Sequence, residues 1–316
     1  MKKIIPFFKI NYNKDELNQL KDIANSGNLT MGSSTKKFEK EISKKLGLSE
    51  KNVALVSNCT SALHLSLIAS NIKPDDEVLC SSLTFVADAN SILYLGAKPI
   101  FVDIESEHNL NMCVSDLKKK INSKTKAVIM THYAGYPCKI NEIKSLCRKH
   151  KLILIEDACH TIFSKFKNKY LGTFGDFGVF SLYGNKNITT GEGGIILSKK
   201  NKIDFIKKLI NYGIEKKFKN GNPLYDIKNL GFNYRIDDLR SALGSAQIKK
   251  INKINLIRKK VAKNYCTLIE KKIANFKIPF RKFIGNNFSY HLFVILLPKK
   301  ILRKNLIKHL YKKGIE

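Results

Sequence analysis

The chain has 316 residues, 43% of them hydrophobic, which is enough for one large domain with a buried core and a smaller second domain. Its 57 Lys and Arg against 26 Asp and Glu give a formal net charge of +31, a value found among nucleic-acid binders. The lysines are spread along the chain, however, and the six arginines form no base-reading cluster with stacking aromatics. We therefore expect no nucleic-acid partner.

The cysteines and the N-terminus indicate the compartment. The seven cysteines are odd in number and lack paired CxxC spacing, so the sequence predicts neither a disulfide framework nor a metal site. The apolar run in MKKIIPFFKINYNKDE is too short and interrupted for a signal peptide, and no long apolar span follows. We expect reduced thiols, no membrane insertion and a cytoplasmic location.

Taken in order, the chain begins with two helices, predicted at residues 15–26 and 34–46, and a short apolar strand at 53–57. The strand leads through a polar turn into a helix whose first turn carries Thr60 and Ser61. Backbone N–H groups and hydroxyls at a helix N-terminus favour a phosphate. The alternative is a plain N-cap, which needs only one hydroxyl.

Strands and helices then alternate as far as residue 156. Such alternation predicts a doubly wound parallel sheet, with ligands at the carboxyl ends of its strands. Asp157 comes just past one buried strand, where a carboxylate is costly unless a cation faces it. The predicted strands lie at 77–81, 98–103, 124–131 and 151–156, and the predicted helices at 84–96 and 140–150.

Lys186 lies between a short apolar strand, predicted at 178–181, and a turn containing Gly191, Gly193 and Gly194. A lysine held at a strand end is partly desolvated, which disfavours its ammonium form and lets the amine attack a carbonyl to form a Schiff base. The alternative is an ordinary surface-loop lysine, and Lys186 alone does not decide between them.

Beyond residue 200 the pattern becomes helical. Helices are predicted at 204–212 and 236–256, continuing as a lysine-rich helix to about residue 268, and a strand is predicted at 289–297 before a final helix at 303–313. The segment GFNYR, residues 231–235, lies where the first of these helices gives way to the second.

Seven motifs in this order resemble the DegT/DnrJ/EryC1/StrS family of sugar aminotransferases over nearly the whole chain. They include SNCTSALHLSL, IEDACHT, LGTFGDFGVFSLYGNKNITTGEGG, GFNYRIDDLRSALGSAQI and SYHLFVI. The resemblance implies an α/β chain of the aspartate-aminotransferase type, pyridoxal-phosphate fold type I, with a mostly parallel sheet. It implies a large domain over residues 1–240 and a small α/β domain over 241–316.

The resemblance also implies roles for three residues near the reacting atoms. Lys186 corresponds to the lysine that binds pyridoxal phosphate covalently and then moves a proton between substrate carbons. Asp157 corresponds to the carboxylate that keeps the pyridine nitrogen protonated. His160 occupies the position of a Gln or His near the cofactor's 3-oxygen, although it can equally be a buried structural histidine.

Further residues match the family's binding positions. Thr60, Ser61 and Ser181 match the phosphate cradle, and Phe85 matches an aromatic residue that stacks on the pyridine ring, with an ordinary core phenylalanine as the alternative. Asn233 matches a residue that reaches the cofactor phosphate of a neighbouring subunit, which implies a homodimer. Arg235 can bind substrate in the same way, cap a helix or pair locally.

The implied reaction is amino transfer from glutamate to a nucleotide-diphosphate 4-keto-6-deoxy sugar, in amino-sugar or surface-polysaccharide biosynthesis. The stretch GNKNITTGEGG is closest to perosamine-synthase-like members, which favours C4 over C3. Family members that catalyse 3-dehydration have His in place of the lysine, which disfavours that reaction here. The chain also stops at KKGIE, where relatives continue, so a shortened small domain and a non-catalytic cofactor-binding protein remain alternatives.

Overall fold

The computed structural model describes residues 4–199, 201–219, 222–273 and 275–316. Its helices are α1 (Lys14–Ser26), α2 (Ser33–Leu46), α3 (Cys59–Ala69), α4 (Ala87–Leu93), α5 (Val114–Lys120), α6 (Ile140–Lys149), α7 (Ile203–Ile210), α8 (Asp238–Ile248), α9 (Ile251–Lys272) and α10 (Arg303–Lys312). Its strands are β1 (Val53–Val56), β2 (Glu77–Ser81), β3 (Lys98–Val102), β4 (Ile104–Ser106), β5 (Asn109–Met112), β6 (Thr125–Thr131), β7 (Ile153–Asp157), β8 (Lys165–Phe166), β9 (Lys169–Tyr170), β10 (Phe177–Ser181), β11 (Gly194–Ser198), β12 (Ile214–Lys219) and β13 (Asn222–Ile227).

Seven of the strands form one sheet in the order β1-β11-β10-β7-β6-β2-β3. β11 runs antiparallel to its two neighbours, and the remaining pairs are parallel. The predicted mostly parallel α/β sheet is therefore confirmed. The described part of the chain contains no helix long and apolar enough to cross a membrane.

Helices cover both faces of this sheet. In β6, Ala127 and Ile129 pack with α3 and α7 on one face, whereas Val128 and Met130 pack with α6 on the other. Side chains alternate between faces along a strand, so a central strand with helices on both sides must be apolar throughout. This explains why the inner strands β10 and β11 are apolar over most of their length.

A buried acid fastens the loop before β10. Glu156 is fully buried, and its carboxylate accepts the backbone N–H groups of Gly172 at 2.9 Å and Gly175 at 2.6 Å. His132 lies 3.0 Å from the same carboxylate through Nε2, while its Nδ1 accepts the N–H of Cys138. Nδ1 is therefore unprotonated and Nε2–H donates to Glu156. Burial raises the pKa of Glu156, but these hydrogen bonds outweigh it and leave the pKa below its usual value.

Three predicted elements differ from the structure. The predicted strand at 289–297 is irregular, apart from one β-bridge between Leu296 and Lys277, because its polar groups bond to loops of the large sheet, as in the bond from Leu292 N–H to Ala134 O. The predicted helix 236–256 is divided at Lys249 and Lys250 into α8 and α9. The hairpin β12–β13 lies between the predicted helices 204–212 and 236–256, where no strand is predicted from the sequence.

The predicted domain boundary after residue 240 falls within α8, which packs against α1 and α2. The side chain of Asp238 at the start of α8 accepts hydrogen bonds from the backbone N–H groups of Gly32 and Thr35. The division of the chain into domains at this point stays a prediction.

Replacement of Glu156 by Gln tests the buried network. An amide cannot accept all of these donors, so we expect the free energy of unfolding at pH 7 to fall by about 3 kcal/mol. Because the folded pKa of Glu156 lies below its usual 4.5, the stabilisation is present above that pH and is lost as pH falls through the folded value. Urea unfolding should therefore show the gap between wild type and variant narrowing below about pH 4.5.

The matched control for this experiment is Asp75→Asn, which removes an exposed ion pair with Lys98 at 2.7 Å. Exposed pairs contribute about 1 kcal/mol or less, so this variant should stay close to wild type. A Glu156→Gln variant as stable as the control would contradict the role assigned to the network.

Candidate active site

The strand register brings several chain segments together at one edge of the sheet. Gly194, the first residue of β11, pairs with both Val56 and Ser181, the last residues of β1 and β10. Asp157, the last residue of β7, pairs with Thr131 on β6 and with Val179 on β10. The carboxyl ends of these strands therefore meet where an open α/β sheet binds its ligands.

The N-terminus of α3 lies against this edge. Asn58 caps the helix by accepting the backbone N–H of Ser61 at 2.8 Å, and a Cβ on Gly194 would come within 2.5 Å of the Asn58 backbone. Ser61 is buried, and its hydroxyl bonds to the Asn58 side chain at 2.9 Å. Thr60 is half-buried on the same turn. The hydroxyl of Ser61 therefore completes the cap, and Thr60 and the first helical N–H groups are the donors that face outward.

Asp157 is 3% exposed, and its Oδ1 accepts the backbone N–H of Cys159 at 2.9 Å. Among the ion pairs of the described residues, none brings a lysine or arginine to this carboxylate. The expected cation is thus not a neighbouring side chain in salt-bridge contact. A buried carboxylate of this kind is suited to a cationic ligand atom.

Lys186 lies on the loop that follows β10. A backbone hydrogen bond to one of the glycines after Lys186 closes this loop. Leu182 N–H bonds to Gly193 O at 2.9 Å, and Gly191 has φ +80°, a conformation that favours glycine. The Lys186 side chain is half-buried, and its charge acts on Cys59, Cys159 and His160. Lys186 therefore lies near the ends of β1 and β7, which Cys59 and Cys159 follow. Its role as the cofactor lysine stays a prediction.

Asn187, the next residue, fastens this loop to the C-terminal region. Its amide donates to Ser289 O and to Asn255 Oδ1, each at 2.7 Å. Its Oδ1 lies 3.3 Å from Nδ1 of His291. Three contacts from one buried side chain hold the residue beside Lys186 in place.

Two histidines lie next to Lys186. The rings of His160 and His291 are 4.4 Å apart, and His160 Nδ1 accepts the backbone N–H of Ala134 at 3.2 Å. Burial, followed by the charge of Lys186, lowers the pKa of His160 well below its usual value. His160 is therefore neutral near pH 7, with Nε2–H as its remaining donor.

Phe85 follows β2 and is 70% exposed, which excludes the alternative that it is a core phenylalanine. The segment 231–235 reaches the same end of the sheet, where Ser57 N–H bonds to Tyr234 O at 2.8 Å. Asn233 is exposed and forms a β-bridge with Asn211. Arg235 donates to Asn211 and lies 5.0 Å from the Tyr212 ring, so within one chain it pairs locally.

A cavity of about 390 Å³ opens beside the lysine. It is lined by Lys186, Arg258, His291 and residues 7–11 of the N-terminal segment, among others. Arg258 is held there by hydrogen bonds to Tyr290 O and His291 O. The volume is within the range of small-molecule sites.

Comparison with known proteins decides the family. Residues 11–316 match the DegT/DnrJ/EryC1/StrS aminotransferase family. The chain belongs to this family. It is 35% identical to GDP-perosamine synthase of Vibrio cholerae, with 99% of this chain and 83% of that protein covered. It is 33% identical to the spore coat polysaccharide biosynthesis protein SpsC of Bacillus subtilis, with 91% and 74% covered.

Solved structures agree with this assignment. The aminotransferase TlmJ of Streptoalloteichus hindustanus is 28% identical and superposes with a TM-score of 0.91, with 99% of this chain and 83% of that chain covered. As a DegT/DnrJ/EryC1/StrS member, the chain is a sugar aminotransferase that depends on pyridoxal phosphate. The predicted family, fold class, enzyme class and cofactor are confirmed.

The donor set of the site fits this cofactor. A buried carboxylate without a lysine or arginine in salt-bridge contact, Asp157, suits the protonated ring nitrogen, and the amine of Lys186 suits the aldehyde. The outward N–H groups of α3, with Thr60 and Ser181 nearby, suit a phosphate. The cradle depends on Gly194, because a side chain there would collide with the α3 turn.

Sequence analysis did not select three residues of the site. Asn187 and His291 lie within the motifs GNKNITTGEGG and SYHLFVI, but only the fold brings these motifs together. Asp88 is an acid within the apolar run TFVADANSIL, and it is fully buried behind Asp157. A carboxylate inside an apolar helix was the one signal that could have identified Asp88.

Proposed function

We propose that the protein transfers an amino group from glutamate to the keto carbon of a nucleotide-diphosphate 4-keto-6-deoxy sugar, with C4 preferred. The observation that carries the proposal is the placement of Lys186 so that its charge acts on Cys59 and Cys159, the same two thiols on which the buried Asp157 acts. The amine of Lys186 and the carboxylate of Asp157 thus lie near the same space at the ligand-binding edge of the sheet.

In this proposal the chain's residues act as follows. Bound pyridoxal phosphate supplies an electron sink for the carbon that exchanges its amino group. Lys186 binds the cofactor's aldehyde and, once released, moves a proton between the reacting carbons. Asp157 holds the ring nitrogen protonated, and His160 donates Nε2–H toward the ring oxygen. Their positions around one cleft support these assignments.

The remaining contacts hold the cofactor in place. Thr60, the N–H groups of α3 and Ser181 bind the phosphate, and Ser61 orders that turn through Asn58. The exposed ring of Phe85 is available to stack on the pyridine, where it would exclude water from the cofactor. The 390 Å³ cavity with Arg258 accepts the substrates in turn.

The preference for C4 and for glutamate rests on similarity. GDP-perosamine synthases of Vibrio cholerae and of Escherichia coli O157:H7 are 35% and 37% identical to this chain. The stretch GNKNITTGEGG around Lys186 resembles members of that group. A C3-aminating enzyme is the alternative within the same family.

We propose that the working enzyme is a cytoplasmic homodimer in which Asn233 and Arg235 enter the partner's site. The exposed side chain of Asn233 has no intramolecular role beyond the β-bridge of its backbone to Asn211 among the described residues. Large apolar side chains are exposed on α4 and near residue 230, with Tyr94 58% and Leu230 84% exposed. An apolar surface of this kind supports a protein interface.

The first prediction concerns Lys186→Ala. Wild type incubated with pyridoxal phosphate should gain the visible absorption band of a lysine-bound cofactor, and the variant should not, because the aldehyde lacks its amine. Absorption spectra after gel filtration measure this directly. Lys126→Ala, which removes an exposed lysine from β6, is the matched control and should keep the band. A band of equal strength in Lys186→Ala would remove the basis of the proposal.

The second prediction concerns the substrates. Glutamate alone should bleach the visible band of the wild type and release 2-oxoglutarate, and a nucleotide-linked 4-keto-6-deoxy sugar should then restore it. Chromatography and NMR of the product sugar report the aminated carbon. Amination at C3 would select the alternative regiochemistry, loss of the 3-hydroxyl would indicate dehydration, and an unchanged band with glutamate would indicate a non-catalytic protein.

The third prediction concerns the partner subunit. Lys186→Ala and Asn233→Ala should each be inactive alone, yet their co-expression should restore about a quarter of wild-type activity. Half of the random dimers are then mixed, and each mixed dimer holds one site with both residues intact. Absence of recovery in a protein that sediments as a dimer would place Asn233 in its own subunit's site.

A further inference from the structure

Asp88 lies directly behind the proposed cofactor acid. It is on α4, is fully buried, and its Oδ2 is 2.7 Å from the hydroxyls of both Thr84 and Thr131. Thr131 is the β6 residue paired with Asp157 on β7. The carboxyl of Asp88 therefore reaches the strand end that carries Asp157.

The second oxygen of Asp88 has no N–H or O–H donor among the described residues, although it is buried. The carboxyl of Asp88 lies within hydrogen-bond reach of the carboxyl of Asp157. Two carboxylates cannot lie in such contact with both ionised, and one proton between them resolves both the repulsion and the missing donor. The thiols of Cys59 and Cys80 are also neighbours of Asp88, and neither supplies a positive charge.

We propose that Asp88 is a positioning residue that stays protonated and donates its carboxyl hydrogen to Asp157, holding that carboxylate in the orientation that meets the cofactor nitrogen. The inference rests on the proposed role of Asp157. Asp88 touches neither cofactor nor substrate in this arrangement, and it acts through Asp157 alone.

The surroundings decide which acid carries the proton. Burial, followed by the negative charge of Asp157, raises the pKa of Asp88 well above its usual value. Asp157 instead accepts the N–H of Cys159, and the amine of Lys186 acts on the same thiols as Asp157 does. The carboxyl of Asp88 is therefore the one that carries the proton.

The number of negative charges on the pair of Asp88 and Asp157 affects its interaction with the cofactor nitrogen. A fully ionised pair would present two negative charges to one ring cation, whereas the shared proton leaves one. The hydrogen bond from Asp88 also spreads the charge of Asp157, so that the acid holds the ring proton in place and does not remove it.

Two variants distinguish the effect of a hydrogen-bond donor at position 88 from the effect of an acidic group there. Asp88→Asn keeps the shape and still donates an N–H to Asp157, whereas Asp88→Leu removes the donor. The infrared spectrum of the cofactor-free protein at neutral pH should contain the C=O stretch of a protonated carboxylic acid, and Asp88→Asn should lose that band. The exposed acid Asp103 provides the control, because Asp103→Asn should keep it.

Binding of the cofactor gives the second measurement. Asp88→Asn should bind pyridoxal phosphate within about threefold of wild type, and Asp88→Leu about tenfold or more weakly, because a hydrogen bond to a charged group is lost. Loss of the infrared band in Asp88→Asn with this order of affinities supports the proposal. A cofactor-free wild type without a protonated acid, or Asp88→Leu binding as tightly as Asp88→Asn, would overturn it.

The infrared result does not depend on the cofactor. A wild type that contains the protonated acid but forms no visible band with pyridoxal phosphate would contradict the proposed function and leave the shared proton of Asp88 intact. The two failures are therefore distinguishable.

Discussion

The hydrogen-bond register between β6, β7, β10 and β11 is the constraint on which the site depends. It places Thr131, Asp157 and Val179 side by side, and Ser181 beside Gly194. A shift of one residue in a strand would turn its side chains to the opposite face. Asp157 would then point into the apolar layer under α6 rather than toward the ligand edge.

Two adjacent acids on β7 have different surroundings because their side chains point to opposite faces of the sheet. Glu156 and Asp157 are both buried, but successive side chains of a strand point to opposite faces. Glu156 is fully supplied with donors, which include His132 and loop N–H groups. Asp157 accepts the backbone N–H of Cys159. The same strand end therefore carries one acid that stabilises the fold and one that, in the proposed function, meets the cofactor.

The sequence was sufficient for those features that depend on neighbouring residues. The parallel strands follow from apolar runs between helices. The strand before Lys186 and the glycines after it drew attention to that residue, but its role came from the family resemblance and stays a prediction. Features that depend on distant parts of the chain were missed. The segment 289–297 has the alternation of a strand, yet its polar groups bond to loops around Ala134 and His160, and no local pattern encodes those partners. The same reason explains why Asp88 and His291 were not selected.

The attachment of Asn187 to Ser289 and Asn255 means that the lysine loop is anchored in the C-terminal region as well as in the sheet. The loop of Lys186 is therefore connected by hydrogen bonds to the part of the chain that forms the cavity wall at His291. In the proposed reaction, a sugar that displaced Ser289 or Asn255 would also disturb the position of Lys186. One amide side chain would in this way link the size of the substrate to the placement of the amine.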